Sequence, residues 1–260
     1  MQCQIVIPAR LASTRLPEKL LRQAGGKSIL QHTYDAACAS SVASGVIVAV
    51  DNPRIADEVD SFGGRWIMTS VDCASGTDRI AEVAAAMPEV DVFVNVQGDE
   101  PEISPAAIDL VAKTLIENTA ADMSTVGTPI RQESLLNDPS VVKIVMALDA
   151  NSSGQRTKAG QGRAVYFSRS VVPHIRDGIT DEVMMAEPPH FWHHLGLYAY
   201  RREFLAWFAS QPSSLLEQSE RLEQLRAIEA GKIIAVARVE SATPGIDTQA
   251  DLDAFIARLN

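Results

Sequence analysis

An α/β fold is expected for this chain: a mostly parallel central sheet with helices on both faces, plus an inserted mixed-sheet substrate and dimer lobe. Three observations predict it. Strand-like and helix-like segments alternate through the first half of the chain. The strand-like segments are apolar throughout, as in strands covered on both faces. Several helix-like segments open on recognisable caps.

In chain order, Cys3 to Ile7 is a short apolar run. Ser28 to Ser40 reads as a helix, with Ser28 and Gln31 at capping-box spacing and Ile29, Leu30, Thr33, Ala36 and Ala37 on one face. GVIVAV (Gly45 to Val50) is a buried strand, Pro53 to Phe62 a helix ended by Gly63-Gly64, and Arg65 to Met68 another strand. Ser75 to Ala86 is a helix with Ser75 and Asp78 at capping spacing, and DVFVNV (Asp91 to Val96) is a strand. Ser104 and Pro105 begin a helix that reaches about Asn118, followed by a strand at Met123 to Thr128. Beyond it the pattern loosens. Val141 to Leu148, Ala164 to Phe167 and Leu195 to Tyr200 read as strands, and the polar, Gly-rich Asn151 to Gly162 as an exposed, mobile loop. A helix at Ser219 to Ala230, a strand at Ile233 to Val239 that rejoins the sheet, and a helix opened by Thr248 and Asp251 complete the chain. The expected organisation is one domain, with 1–128 and 203–260 as a nucleotide-binding core and 129–202 as the inserted lobe.

Bulk composition narrows the function. The 260 residues carry 46% hydrophobic and 22% charged side chains, enough for a full core and against disorder. A net charge of −10 argues against nucleic acid or an acidic membrane as partner. Cys3, Cys38 and Cys73 lack metal or disulfide spacing and read as reduced, mostly buried thiols. No secretory signal or membrane-length apolar run is seen, so a cytoplasmic location is expected.

Against that acidic background the loop after the first strand stands out. Arg10, Ser13, Thr14, Arg15 and Lys19 put hydroxyls, backbone N–H groups and three cations at a strand end, which suits a polyphosphate. A solvated basic loop is the plainer reading. Neither GxxxxGK[ST] nor a post-strand GxGxxG occurs, which excludes a P-loop and disfavours a dinucleotide site. In VNVQGDEP, Asp99 and Glu100 follow a buried strand and suit a divalent cation shared with phosphate; a simple turn would look the same. Asp247 is a second candidate carboxylate, although an acid is also common at a helix start. Ligands of such sheets bind beyond the strands' carboxyl ends, so the loops after Ile7, Met68 and Val96 are expected to face one site.

IPARLASTRLPEKLL, SGTDRIAEV, VNVQGDEP, AVYFSR, HHLGLYAYR, LEQLRAIEAG and PGIDTQADLD resemble, in order and spacing, the 3-deoxy-D-manno-octulosonate (Kdo) cytidylyltransferases. The resemblance spans essentially the whole chain. It implies a nucleotide-diphospho-sugar transferase-like fold and the reaction of CTP with Kdo to give CMP-Kdo and diphosphate. It also implies Mg²⁺ dependence, a homodimer and a role in lipopolysaccharide synthesis. Position by position, it implies that Arg10, Arg15 and Lys19 hold the CTP triphosphate, with Ser13 lining the loop. Ala9, Ser75 and Arg79 would lie near cytosine or ribose. Asp99 and Asp247 would hold Mg²⁺, and Arg10, Arg15, Lys19 and Asp99 would be the catalytic set. Gln97, Arg169, His194, Tyr198, Glu223 and Gln224 would surround Kdo, with Arg169 on its carboxylate. A related acidic sugar (8-amino Kdo or a sialic-acid-like one) and a nucleotide-binding protein without turnover are the competing readings. Two departures from the family pattern stand out: Glu18 where glycine is common, and Ala-Thr-Pro-Gly-Ile ahead of Asp247.

Overall fold

A computed structural model describes residues 1–149 and 160–259 of the chain. The first strand, β1 (Cys3–Ala9), lies inside the sheet and is buried along almost its whole length. A 3₁₀ turn (Lys19–Leu21) and a small hairpin of β2 (Gln23–Ala24) and β3 (Lys27–Ser28) follow it. Then come α1 (Ile29–Cys38), β4 (Val46–Val50), α2 (Pro53–Ser61), β5 (Trp66–Met68), α3 (Gly76–Ala86), β6 (Val92–Asn95), α4 (Pro105–Glu117) and β7 (Met123–Pro129). The less regular stretch holds α5 (Glu133–Asn137), β8 (Lys143–Leu148), β9 (Gly162–Ser168), α6 (Asp181–Met185) and β10 (Trp192–Arg201). The chain closes with α7 (Arg202–Ser210), α8 (Leu215–Glu220), α9 (Gln224–Glu229), β11 (Ile234–Arg238) and α10 (Gln249–Leu259).

The main sheet runs β5-β4-β1-β6-β10-β7-β11-β9-β8. Its first four strands are mutually parallel, and so are β7 and β11. Between these two parallel blocks runs β10, antiparallel to both β6 and β7, so the sheet is mixed. β10, the last strand of the 129–202 segment, thus runs in the middle of the sheet.

Side chains of a strand alternate between the two faces, and here the alternation sorts the core. Ile5, Ile7, Val48, Val50, Val92 and Val94 pack under α1, α2 and α4 through Leu30, Ile55, Val59, Ile108 and Val111. Val6, Ile47, Ala49 and Phe93 face the other way, onto α3, α7 and α9 through Ile80, Val83, Phe204, Phe208 and Leu225. Helices thus cover both faces.

Caps form where the sequence places them at three helices: Ser28 Oγ accepts from Gln31 N, Ser75 Oγ from Asp78 N, and Thr248 Oγ1 from Asp251 N. Asp251 returns the last bond by accepting from Thr248 N, at 2.8 Å. Other expectations need correction. The helix expected at Ser219 to Ala230 is two helices, α8 and α9, separated by Arg221 in the left-handed region at φ 53°. Its true start is a reciprocal capping box of Ser214 and Glu217. Arg202–Ser210 is a helix the sequence reading left unassigned. Of the three thiols only Cys3 is buried; Cys38 ends α1 exposed and Cys73 is intermediate, and all are free. Most of the loop expected at 151–162 lies outside the described residues, and Gly162 already belongs to β9. Among the described residues no helix is long and apolar enough to cross a membrane.

Candidate active site

The parallel strands β4, β1 and β6 end side by side, and the loops leaving them are bound to one another. Leu11 N, past β1, donates to Asp51 Oδ1, past β4, at 3.1 Å. The Arg79 guanidinium, buried in α3, reaches Thr69 Oγ1, Ser70 O at 3.3 Å and Asp51 Oδ2 at 3.4 Å. Arg79 therefore ties the loops after β4 and β5 together from behind. Gly98 brings the loop past β6 onto the same spot. A Cβ there would stand 3.2 Å from Pro8 O and 3.3 Å from the Leu20 methyls, so the close approach to β1 needs a glycine. The hydroxyl of Thr33 holds the Gly98 carbonyl at 3.0 Å.

These loops enclose a small polar cavity, about 170 Å³, lined by Arg10, Ser13, Thr14, Arg15, Lys19, Gln97, Asp99 and Asp247 among others. Its centre is the Lys19 ammonium. Lys19 Nζ donates to Asp99 Oδ2 and, at 2.9 Å, to Asp247 Oδ1. Arg15 adds an ion pair to Asp247 Oδ2 at 3.0 Å. Burial works against the Lys19 charge, but the two carboxylates outweigh it and hold its pKa above the free value. Two acids 148 positions apart in the chain thus meet on one cation.

Asp247 is delivered by its neighbour. Ile246 is buried among Leu16, Ala24, Ile29, Leu252 and Phe255, and its N–H donates to Asp99 O at 2.8 Å. That apolar anchor and backbone bond set the path of the unusual Ala-Thr-Pro-Gly-Ile segment. Asp247 N, in turn, donates to Asp251 at the start of α10. Glu18 also resolves simply. Its backbone sits at φ 54°, the conformation that favours glycine, and its carboxylate turns outward to Arg54, with Arg54 Nη2 at 3.0 Å from Oε2. The negative charge is thus paired away from the cavity. Glu100 plays a different part from Asp99. Its side chain lies against Gly196 and Gly245, and burial, with the charge of Asp99 added, pushes its pKa up to about 7.

A second cavity, about 260 Å³, adjoins the first across Gln97, which lines both. Its walls include Thr77, Asn95, Gly196, Tyr198, Tyr200, Glu223 and Gln224. Glu223 accepts from Thr77 Oγ1 at 2.8 Å, and burial raises its pKa. Asn95 Oδ1 is buried with no hydrogen-bond partner among the described residues. An unpaired buried acceptor is costly unless a ligand supplies a donor.

The residues expected at the site separate into three groups. Arg10, Ser13, Arg15, Lys19, Asp99 and Asp247 converge on the first cavity, and Gln97, Tyr198, Glu223 and Gln224 on the second. His194 lies beside Gln224, 8% exposed, and also lines a third cavity of about 430 Å³ with Glu100, Ser104 and Asp247; burial drops its pKa to about 3. Arg169 does not line either cavity. Its guanidinium is bonded to the carbonyls of Glu220 at 2.8 Å, Pro139 at 3.1 Å and Arg221 at 3.4 Å, so it braces the turn between α8 and α9. Ala9, Ser75 and Arg79 support the loops from outside the first cavity. The sequence reading missed Asn95, Thr77 and Tyr200. Each sits inside a strand or helix pattern, where a polar residue carries no local sign of a ligand.

A family model described as Cytidylyltransferase matches residues 4–234. The 3-deoxy-manno-octulosonate cytidylyltransferase of Rhodopirellula baltica is 60% identical, covering 100% of this chain and 99% of its own. That of Geobacter sulfurreducens is 43% identical over 100% of both chains. Among solved structures, a CMP:2-keto-3-deoxy-manno-octonic acid synthetase complexed with CTP superposes with a TM-score of 0.87 at 37% identity, over 100% of this chain and 98% of that one. A Leptospira borgpetersenii cytidylyltransferase, 15% identical with a TM-score of 0.61 over 99% of this chain and 86% of its own, shares the fold. With strand ends, cationic loop and paired aspartates all in place, this chain belongs to the cytidylyltransferase family, in its 3-deoxy-manno-octulosonate cytidylyltransferase branch.

Proposed function

We propose that this chain transfers the cytidylyl group of CTP to the anomeric hydroxyl of Kdo, giving CMP-Kdo and diphosphate for lipopolysaccharide synthesis. One observation carries the reading: Gln97 joins a cationic cavity holding Lys19, Asp99 and Asp247 to a second cavity rich in hydroxyls and amides. A nucleotide triphosphate in the first and a polyhydroxy acid in the second would bring the sugar hydroxyl to the α-phosphorus.

Asp99 and Asp247 fit a magnesium ion. They share a single cation in the form of the Lys19 ammonium, and among the described residues no group of three or more His, Cys, Asp or Glu side chains forms a self-sufficient metal cage. Mg²⁺ characteristically takes one or two carboxylates and completes its shell with phosphate oxygens and water. When bound, it would neutralise phosphate charge and polarise the α-phosphoryl group.

The chain's own residues supply the rest. Arg10, Arg15 and Lys19 meet the negative charge that grows on the leaving diphosphate as the bond from the α-phosphorus to the bridging oxygen breaks. Ser13 and Thr14 offer hydroxyl donors to the same phosphates. The bond that forms joins the Kdo anomeric oxygen to the α-phosphorus, and no covalent enzyme intermediate is required. The N-terminal turn of α3, with Ser75, and the loops held by Arg79 frame the nucleoside beside Ala9. In the second cavity Asn95 Oδ1 provides an acceptor for a sugar hydroxyl, and Gln97, Tyr198, Glu223 and Gln224 complete the polar wall. His194 and Arg169 support this wall from behind. A cytoplasmic homodimer accompanies this reading, with the 129–202 lobe as the dimer surface; Val165 stands exposed on the β8–β9 hairpin at the sheet's end.

The test is diphosphate release measured with CTP across Kdo, 8-amino Kdo and a sialic acid, with wild-type and Asp99→Asn proteins. Kdo-dependent release that Asp99→Asn abolishes, while staying folded, supports the proposal. Faster release with another sugar would reassign the substrate. Tight CTP binding with no release from any sugar would make the chain a nucleotide-binding protein.

A further inference from the structure

Thr125 carries no motif and lies at the centre of the sheet, fully buried in β7. It faces an irregularity in β10. Leu195 pairs with Val126 and Tyr198 with Thr125, so Gly196 and Leu197 are two residues with no partner in β7. The Thr125 hydroxyl closes this bulge. Its Oγ1 lies 2.9 Å from Leu197 O, 3.3 Å from Leu195 O and 3.1 Å from His194 Nε2.

A hydroxyl has one proton to donate. Donated to the nearer carbonyl, Leu197 O, it leaves Oγ1 to accept, so the ring contact must come from His194 Nε2–H. Nδ1 is then bare and accepts from the Gln224 amide, at 3.4 Å. The opposite tautomer would set Nδ1–H against the amide N–H group and leave the backbone carbonyls of the bulge without their hydroxyl. Phe167 and Tyr198 pack against the imidazole, with ring centroids at 4.9 Å and 5.3 Å, and burial keeps it neutral. A second route starts at the bulge itself. Gly196 O accepts from Gln97 Nε2 at 3.4 Å, and Gly196, Gln97 and Gln224 all line the second cavity. One buried hydroxyl thus reaches two cavity amides, one through His194 and one through the bulge.

We propose that Thr125 is a positioning residue for the sugar: its hydroxyl sets the His194 tautomer and the shape of the β10 bulge, so that Gln224 and Gln97 present their amides to the sugar in a single orientation. This rests on the reading of the second cavity as the Kdo site.

The experiment compares wild type, Thr125→Val, which keeps the shape and removes the hydroxyl, and Thr125→Ser, which restores it. Wild-type turnover with Kdo comes first; its absence would defeat the functional reading and leave the tautomer measurement below to judge Thr125. With turnover present, Thr125→Val should raise the KM for Kdo by about tenfold, as expected for a buried polar network left incomplete. The KM for CTP should stay within about twofold, since the first cavity does not touch Thr125. Thr125→Ser should return the KM for Kdo to within about threefold of wild type. An unchanged KM for Kdo in Thr125→Val, equal rises for both substrates, or no rescue by serine overturns the proposal. Imidazole ¹⁵N shifts of His194 in the wild-type protein decide the matter even if Thr125→Val does not fold: a neutral ring protonated on Nε2 is expected, and protonation on Nδ1 overturns it.

Discussion

Replacing Lys19 with alanine removes the cation on which Asp99 and Asp247 meet. Both carboxylates bond the same nitrogen, so their oxygens stand no more than about 6 Å apart. Without the ammonium, two like charges at about 5–6 Å repel by about 3 kcal/mol at an effective dielectric constant of about 20. The Asp99 side chain is 27% exposed and that of Asp247 43%, so solvent screening leaves roughly 1–2 kcal/mol of lost stability. The catalytic cost should be larger. In the proposed reaction Lys19 is one preorganised donor aimed at developing phosphate charge, and losing such a donor lowers kcat by roughly 10²–10³-fold. Urea unfolding reads the first effect and Kdo-dependent diphosphate release the second. High salt should recover much of the stability, because it screens the two aspartates, but little of the rate. The pKa of Lys19 is raised in the fold from 10.5, so its stabilising charge is complete below that value and fades only as pH rises through the folded pKa. The Lys19→Ala defect should therefore be flat across neutral pH. A kcat/KM for CTP within about threefold of wild type would refute the role assigned to Lys19. A stability loss above about 4 kcal/mol would show that the fold itself depends on this residue.

Two further substitutions test the supports of the site. Asp109, on α4, accepts from Ser40 Oγ at 2.6 Å and Ser41 N at 3.0 Å, pinning the end of α1. Burial opposes its charge, but these bonds outweigh it and hold its carboxyl below the ordinary 3.8. Its contribution is thus present above about pH 4 and lost as pH falls through the folded pKa, so Asp109→Asn should cost about 1–2 kcal/mol at pH 7 and progressively less as the pH is lowered below about 4. A gap between the two proteins in urea titrations that widens or stays constant as the pH is lowered below about 4 would contradict this. Gly98→Ala places a methyl 3.2 Å from Pro8 O and 3.3 Å from the Leu20 methyls, so the Asp99 loop or these neighbours must shift by a few tenths of an ångström. We expect about 1–3 kcal/mol of destabilisation and at least a tenfold drop in kcat by diphosphate release. Wild-type kinetics in that variant would show that the approach of Gly98 to β1 is not what positions Asp99.

The parallel half of the fold was legible because its strands are mostly apolar and its helices begin on recognisable cap residues. β4, with all five residues buried, and α3, capped by Ser75, are examples. The antiparallel insertion of β10 between β6 and β7 was not legible, since strand order depends on which edges are free once the helices have packed. The break at Arg221 was hidden for a related reason: arginine is not a residue that announces a left-handed backbone. At the site, the cationic loop and the two aspartates were readable as types. Arg169 was readable as a cation, but not as one whose donors the α8–α9 turn consumes.

What the sequence determined by itself was therefore chemical and local: a cationic loop after a buried strand, carboxylates near strand ends, and helix starts set by short-range hydrogen bonds. The tertiary structure alone decided which of those groups share a space. Asp99 and Asp247 meet because Ile246 is buried and its N–H is bonded to Asp99 O, and Thr125 reaches His194 because β10 carries two extra residues opposite it. Contacts of this kind follow from packing between segments distant in the chain. The free energy that sets them is shared by the whole core, so no short stretch of sequence records it.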